Sequence, residues 1–335
     1  MRSLLVRAGA VTAAAVAALA FSPAMASADP PSGTTPARTD IVGVGSDTTE
    51  KVLNAYSALY NKAHSPKLYS FDATGPSRIT PAAGCAAITR PNGSGAGLAA
   101  LLADRTGCID FARSSRTPKA DGSEKSLAFI AFAKDGVAPA VALTTNAGSN
   151  ITSAQLRSIY TCTARTWNQV GGKNGSTIKP LLPQTASGTR AFFLSAIGIT
   201  EAQVGSCVIQ GSQENNQTAI AGDPNKIAPF SVARYSLIKN TGQTRQISLS
   251  NVDGTKAAAL FTQDGKQITS LSGSYTTRFT RTVFNAVKRV NGSVPDNLRA
   301  VFGSAGYICT NADAKKTTTF QGFRPDCTGS LQTSG

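Results

Sequence analysis

From residue 40 onward, short apolar runs alternate with stretches whose apolar residues recur every three or four positions. Ile41 to Val44 predicts a strand, and Val52, Leu53, Tyr56, Leu59 and Tyr60 fall at helical spacing after it. Ala138 to Thr144 predicts another strand. Thr152 to Tyr160 predicts a helix capped by Thr152 or Ser153, with Leu156, Ile159 and Tyr160 facing inward. Ile178 to Leu182 predicts a strand, and Arg190 to Ile197 a helix carrying Phe192, Phe193, Ala196 and Ile197. Near the C-terminus, Thr282 to Val290 predicts a helix with Val283, Phe284, Val287 and Val290 on one side. Strands alternating with helices argue for α/β layers rather than a sandwich.

The N-terminus has a different pattern. Arg2 and Arg7 precede an apolar run, Ala8 to Phe21, that ends in Ala26-Ser27-Ala28. This predicts a secretory signal peptide over residues 1–28, cut after Ala28 or at the neighbouring Ala24-Met25-Ala26 site. The run is too short and Ala-rich for a membrane span, and no later stretch approaches the ~20 apolar residues that one needs. With no cysteine near the cleavage site to accept a lipid, free secretion is expected. Residues 29–38 are rich in Pro, Ser, Thr and Gly and predict a flexible leader, with order beginning near Thr39.

Losing Arg2 and Arg7 lowers the net charge from +15 to +13, a surplus that attracts anions at long range without selecting among them. Cys85, Cys108, Cys162, Cys207, Cys309 and Cys327 all follow the signal, and an even count in an exported chain predicts three disulfides. No C-x-x-C spacing points to zinc or dithiol chemistry. Six cysteines allow about 15 pairings. Sequential pairing, Cys85–Cys108, Cys162–Cys207 and Cys309–Cys327, is expected because each bridge then closes a loop within one local unit. Roughly 300 residues after the signal exceed the usual size of one core, which predicts two lobes.

Candidate chemistry lies where strands pass into helices. At Gly43-Val44-Gly45-Ser46-Asp47-Thr48-Thr49-Glu50, Asp47 is placed to cap a helix and Glu50 to return the bond as a capping box. At Asn92-Gly93-Ser94-Gly95-Ala96-Gly97, Ser94 precedes a helix through Leu98, Leu101 and Leu102, and the glycines admit close backbone approach. At Thr185-Ala186-Ser187-Gly188-Thr189-Arg190, Ser187 opens the Phe192/Phe193 helix. For any single junction, N-capping alone explains these residues. Three of them, with Asp110-Phe111-Ala112-Arg113-Ser114-Ser115-Arg116, predict converging helix N-termini that hold an anion, with Arg116 and Arg190 supplying formal charge.

These motifs resemble the phosphate-binding (PstS-like) branch of the type 2 periplasmic-binding-protein superfamily. The matching pieces are Gly45 to Thr49, Asp110 to Arg116, Thr152 to Tyr160 with Thr166-Trp167, Ser187 to Arg190, and Asp223-Pro224-Asn225-Lys226-Ile227-Ala228, in family order across residues 40–235. The resemblance implies two α/β lobes joined by two crossovers, an oxyanion buried between them, and closure driven by bonds to both. It implies a first lobe of residues 39–142 and 240–335 and a second of residues 143–239. Carried over by position, the oxyanion ligands are Asp47, Thr48, Ser94, Ser115 and Arg116 from the first lobe, and Ser187, Gly188, Thr189 and Arg190 from the second. In the best-known phosphate binders an aspartate stands where Ser115 aligns, accepting the proton of hydrogen phosphate, and an arginine often stands where Pro183 does. Phosphate is therefore the leading ligand, with the identity of the anion open.

The expected protein is a monomeric, secreted solute-binding protein without a cofactor, bound metal or nucleic-acid partner. The family association with an ABC permease supplies a partner whose docking surface has no readable signature here. An enzyme is not expected. His64, the one histidine, precedes Ser65-Pro66 at an expected helix end, no G-x-S-x-G elbow or Walker A sequence occurs, and Thr48 breaks the dinucleotide-like glycine pattern begun at Gly43 and Gly45. The alternative is a secreted adhesion module of the same fold that binds a polyanionic wall component. Trp167 and Tyr307 are expected to pack rather than bind.

Overall fold

A computed structural model describes residues 29–31 and 33–332, so the expected signal peptide lies outside the described residues. The chain begins with β1 (Ile41–Gly45), α1 (Glu50–Tyr60), β2 (Leu68–Ser70), the small pair β3 (Arg78–Ile79) and β4 (Ile88–Thr89), α2 (Ser94–Ala103) and β5 (Phe111–Ser114). The long strand β6 (Leu127–Ala142) follows. Next come β7 (Asn150–Ile151), α3 (Ser153–Tyr160), β8 (Lys179–Pro183), α4 (Gly188–Ala196), β9 (Ile209–Ser212), β10 (Lys226–Ser231) and α5 (Val232–Asn240). Short strands β11 (Ile247–Leu249) and β12 (Asn251–Val252) lead to the hairpin β13 (Ala258–Gln263) and β14 (Lys266–Leu271). The chain then returns through β15 (Thr280–Lys288) to α6 (Asp296–Phe302), α7 (Tyr307–Thr310), α8 (Ala312–Phe320), β16 (Arg324–Pro325) and β17 (Leu331–Gln332).

One sheet runs in the order β2-β1-β5-β15-β6-β10-β8-β9. Parallel pairs β1/β2, β1/β5, β10/β8 and β8/β9 make up its two ends, and antiparallel β15 and β6 join them. β6 belongs to both ends. Its first part pairs with β15 from Leu127 to Gly136, and its last part, Val137 to Ala142, lies between β10 and β11. The strand expected at Ala138 to Thr144 is the second half of β6. Lys134, Asp135 and Gly136 interrupt the apolar run and hide the first half. A side chain at Gly136 would come within 2.8 Å of Leu271 and 2.9 Å of Val232, so glycine lets the strand pass between lobes.

The helix expected over Thr282 to Val290 is instead β15. This strand is covered on both faces between β5 and β6, so its apolar residues run nearly continuously and imitate helical spacing. The other expected strands and helices form within a few residues of their expected limits, and Thr152 caps α3 in a capping box with Gln155.

Packing separates the lobes. Trp167, Leu156, Tyr160 and Phe193 share a core with Val252, Leu271, Tyr275 and Phe279. Val52, Phe111, Val287, Val301 and Phe302 belong to another. Val252, Leu271, Tyr275 and Phe279, expected in the first lobe, thus pack in the second lobe's core, while Leu271 N and Ser270 Oγ donate to Gly322 O and Phe323 O. Complete burial of a ring such as Phe193 or Phe279 contributes about 1.5–3 kcal/mol. Trp167 is a core residue whose indole N–H donates to Asn225 Oδ1 at 3.1 Å. The three disulfides are the sequential ones, and each lies within one lobe.

The stretch 29–38, expected to be a flexible leader, is anchored where it is described. Asp29 accepts two bonds from the Arg90 guanidinium at 2.8 and 2.7 Å, Pro36 is buried, and Arg38 donates to Thr106 O at 2.5 Å. Among the described residues no helix is long and apolar enough to cross a membrane.

Candidate functional site

The first lobe presents the loop from β1 to α1, held from beneath by Arg113 of β5. This fully buried guanidinium donates to Ser46 O at 3.0 Å, Gly45 O at 3.1 Å and Ser70 Oγ at 2.5 Å. Burial lowers its pKa, opposed by Glu50, Asp72 and Asp47. The expected capping box does not form: α1 has no side-chain cap, and Glu50 instead accepts from the Ala73 amide at 2.7 Å and pairs with Lys51. Asp47 Oδ1 accepts from Asn215 Nδ2 of the second lobe at 2.8 Å. Burial pushes the Asp47 carboxyl up to about 7, against the pull of Arg234 and with Glu50 and Glu214 adding to the rise.

Three serines gather beside this loop. Ser94 opens α2, and its Oγ accepts from the Ser115 amide at 3.0 Å and lies 3.2 Å from Ser115 Oγ. Ser46 Oγ donates to Ser115 Oγ at 3.1 Å. The start of α4 meets them from the second lobe. Ser187 caps that helix by accepting from the Arg190 amide at 3.0 Å, and Gly188 follows. A Cβ on Gly188 would lie 2.3 Å from Ser94 Oγ and 2.4 Å from Ser115 Oγ, so only glycine brings the helix N-terminus against the serines. The Gly95 amide donates to Ala186 O at 2.9 Å and ties the two helix starts together.

Beside the serines, Thr48 of the first lobe and Thr189 of the second bring their hydroxyl oxygens within 3.2 Å. Arg281 Nη2 donates to Thr189 Oγ1 at 2.9 Å and Thr48 Oγ1 at 3.2 Å. This arginine belongs to β15 and stands opposite Asp135 of β6 in the register, so the two crossing strands share a buried ion pair of 2.8 Å. Asp135 also accepts from Ser231 Oγ and the Ala233 amide, both at 3.0 Å. Burial raises the Asp135 pKa while Arg281 pulls it down. The Phe192 ring lies 5.6 Å from the Arg281 guanidinium carbon, and Arg281 Nη1 has no hydrogen-bond partner among the described residues.

Asp47, Thr48, Ser94, Ser115, Ser187, Gly188 and Thr189 therefore meet at one interlobe junction, all buried or backed directly onto it. Arg116 and Arg190, expected to supply its charge, are bound elsewhere. Arg116 pairs with Glu124 at 2.5 Å. Arg190 donates to both carboxylate oxygens of Glu201, from Nε at 2.9 and 3.2 Å and from Nη2 at 2.7 Å, and also to Pro183 O and Gln210 Oε1. Arg281 holds the place foreseen for them. It was hidden at the start of a strand read as a helix. Glu214, Asn215 and Asp135 were missed as well. The first two lie in the polar run Gln213 to Asn216, and Asp135 lies with Lys134 and Gly136 just before the strand expected from Ala138. Hydroxyls, two helix N-termini and a guanidinium around one point form a donor set for a small oxyanion.

The class that this fold and junction define is the two-lobed α/β binding protein with a cleft between lobes and two strands crossing beneath it. The family model described as a PBP superfamily domain matches residues 30–285, and the chain belongs to that superfamily. Among solved structures, the chain is similar to a Clostridium perfringens protein described as a phosphate ABC transporter substrate-binding protein, with bound phosphate. The TM-score is 0.62 at 18% identity, over 86% of this chain and 99% of that one. An ABC-type phosphate transport receptor from Vibrio cholerae gives a TM-score of 0.59 at 20% identity, over 85% and 99%. A phosphate-binding protein from Stenotrophomonas maltophilia gives 0.54 at 12%, over 86% and 90%. At these identities the likeness is one of fold. Comparison with curated protein sequences finds no match.

Proposed function

We propose that the protein is a secreted solute-binding protein that takes up a small oxyanion, inorganic phosphate first among candidates, at the junction of Thr48, Ser94, Ser115, Gly188, Thr189 and Arg281. The observation that carries this reading is the meeting of hydroxyls from both lobes on one buried guanidinium. Donors from both lobes make anion affinity depend on the closed arrangement, because an anion that accepts from Thr48 and Thr189 together is bound best when the lobes are together. The phosphate-binding fold neighbours support the choice of anion. Secretion follows the signal-peptide pattern of residues 1–28. The role is binding rather than catalysis: the hydroxyls face a carboxylate and a guanidinium, while His64 Nδ1 lies 3.0 Å from Tyr60 O at the end of α1. Titration calorimetry of the chain from Asp29 onward with phosphate, sulfate and arsenate tests the reading. Heat with phosphate is expected. No heat with any of the three favours the adhesion reading, in which the surplus positive charge engages a wall polymer.

A further inference from the structure

Glu214 lies inside the donor set and is 1% exposed. Its Oε1 accepts from Thr48 Oγ1 at 2.8 Å and from Thr189 Oγ1 at 2.5 Å. Its Oε2 is buried with no hydrogen-bond partner among the described residues. Each threonine hydroxyl has one proton, and a carboxylate only accepts. Arg281 Nη2 has two protons; one goes to Asp135 Oδ2 and the other is shared between the threonine oxygens. Thr48 and Thr189 are thus acceptors toward Arg281 and donors toward Glu214, and their 3.2 Å approach needs no bond of its own. A bound oxyanion would ask for the same two protons.

The neighbours of Glu214 reach across the cleft in the same way. Gln213 Oε1 accepts from Asn92 Nδ2 at 3.0 Å, and Asn215 Nδ2 donates to Asp47 Oδ1 at 2.8 Å. Three consecutive residues of the loop after β9 therefore each bond to the first lobe, and the central one places a carboxylate between hydroxyls of both lobes. Asn215 also accepts from the Ser231 amide at 2.9 Å, which fixes the loop to the second lobe.

We infer that Glu214 is an internal ligand of the junction: its carboxylate accepts the hydroxyl donors of both lobes, holds the cleft shut without an anion, and competes with an incoming oxyanion for them. The competition rests on the oxyanion reading; the shut cleft does not. An anion entering the junction must displace Glu214 or accept a like charge in a buried setting, so the wild-type chain binds more weakly than its donors alone would allow.

Two variants test this. Glu214→Gln keeps the shape and an acceptor oxygen but removes the charge, so phosphate should bind on the order of tenfold tighter by calorimetry. Glu214→Ala removes the link, and the ligand-free protein should expand in small-angle X-ray scattering, while ligand-free wild type keeps its compact profile when phosphate is added. Equal or weaker phosphate binding by Glu214→Gln, with wild type binding, overturns the competition and leaves the proposed function intact. Absence of binding by wild type and both variants sinks the oxyanion reading, and scattering then decides the remaining claim: an unchanged profile for Glu214→Ala overturns it. A urea midpoint for Glu214→Gln close to wild type shows that its binding is measured on the folded protein.

Discussion

The crossing strands and the rim of the second lobe each place an arginine near the hydroxyl loops, and they use it in opposite ways. Arg281 and its partner Asp135 have side chains 2% and 0% exposed, and Nη2 of the guanidinium also reaches Thr48 and Thr189. Arg190 is nearly as buried, at 5%, but its partner Glu201 is 56% exposed, and its other donors go to Pro183 O and Gln210. Closeness in sequence to a hydroxyl loop therefore does not put an arginine in the site. What decides is which carboxylate faces it, and whether donors are left over when that pair is made.

Breaking the crossing pair should have the largest effect. Arg281→Ala leaves Asp135 buried without its counter-ion, and urea denaturation should show a loss of about 3–5 kcal/mol. Converting both residues to leucine should recover much of that loss, because the desolvation cost goes with the pair.

Next in size is a pH effect at the mouth of the same junction. The Asp47 carboxyl rises from 3.8 to about 7 on folding, so the folded protein holds a proton that the unfolded chain releases between those values. Its contribution is favourable at low pH and is lost as pH rises through this window. Urea midpoints at pH 4 and pH 7 should show wild type falling relative to Asp47→Asn by up to about 4 kcal/mol. Parallel curves for the two proteins would remove Asp47 as the source.

Thr189→Val removes a donor shared by both lobes and should weaken phosphate binding by about 1–3 kcal/mol in calorimetry. Unchanged affinity would take the start of α4 out of the site. At the rim the effect should be smallest: Arg190→Lys should change phosphate affinity by at most about 1 kcal/mol, because its guanidinium is bound to Glu201, Pro183 O and Gln210 rather than to the hydroxyls. An equal loss of binding from Arg190→Lys and Arg281→Ala would erase the contrast between the two regions.

Much of the architecture was legible because its signals are local. Helices α1, α3 and α4 announce themselves by apolar spacing, and sequential cysteines pair within their own lobes. The failures share one cause. β15 lies under cover on both faces, so its side chains show no alternation, and the first half of β6 is cut off in the sequence by Lys134 and Asp135. These are the strands that cross between lobes. Misreading them hid the arginine at the junction.

The chain by itself determined the α/β layering and the hydroxyl-rich helix starts, because periodicity, capping chemistry and glycine placement act over a few residues. Only the tertiary structure decided which charges meet those hydroxyls. Asp135 and Arg281 are 146 residues apart, and Thr48 and Glu214 are 166 apart. No local preference encodes such pairs; they exist because two strands and one loop bury distant polar groups side by side, where each is the other's partner.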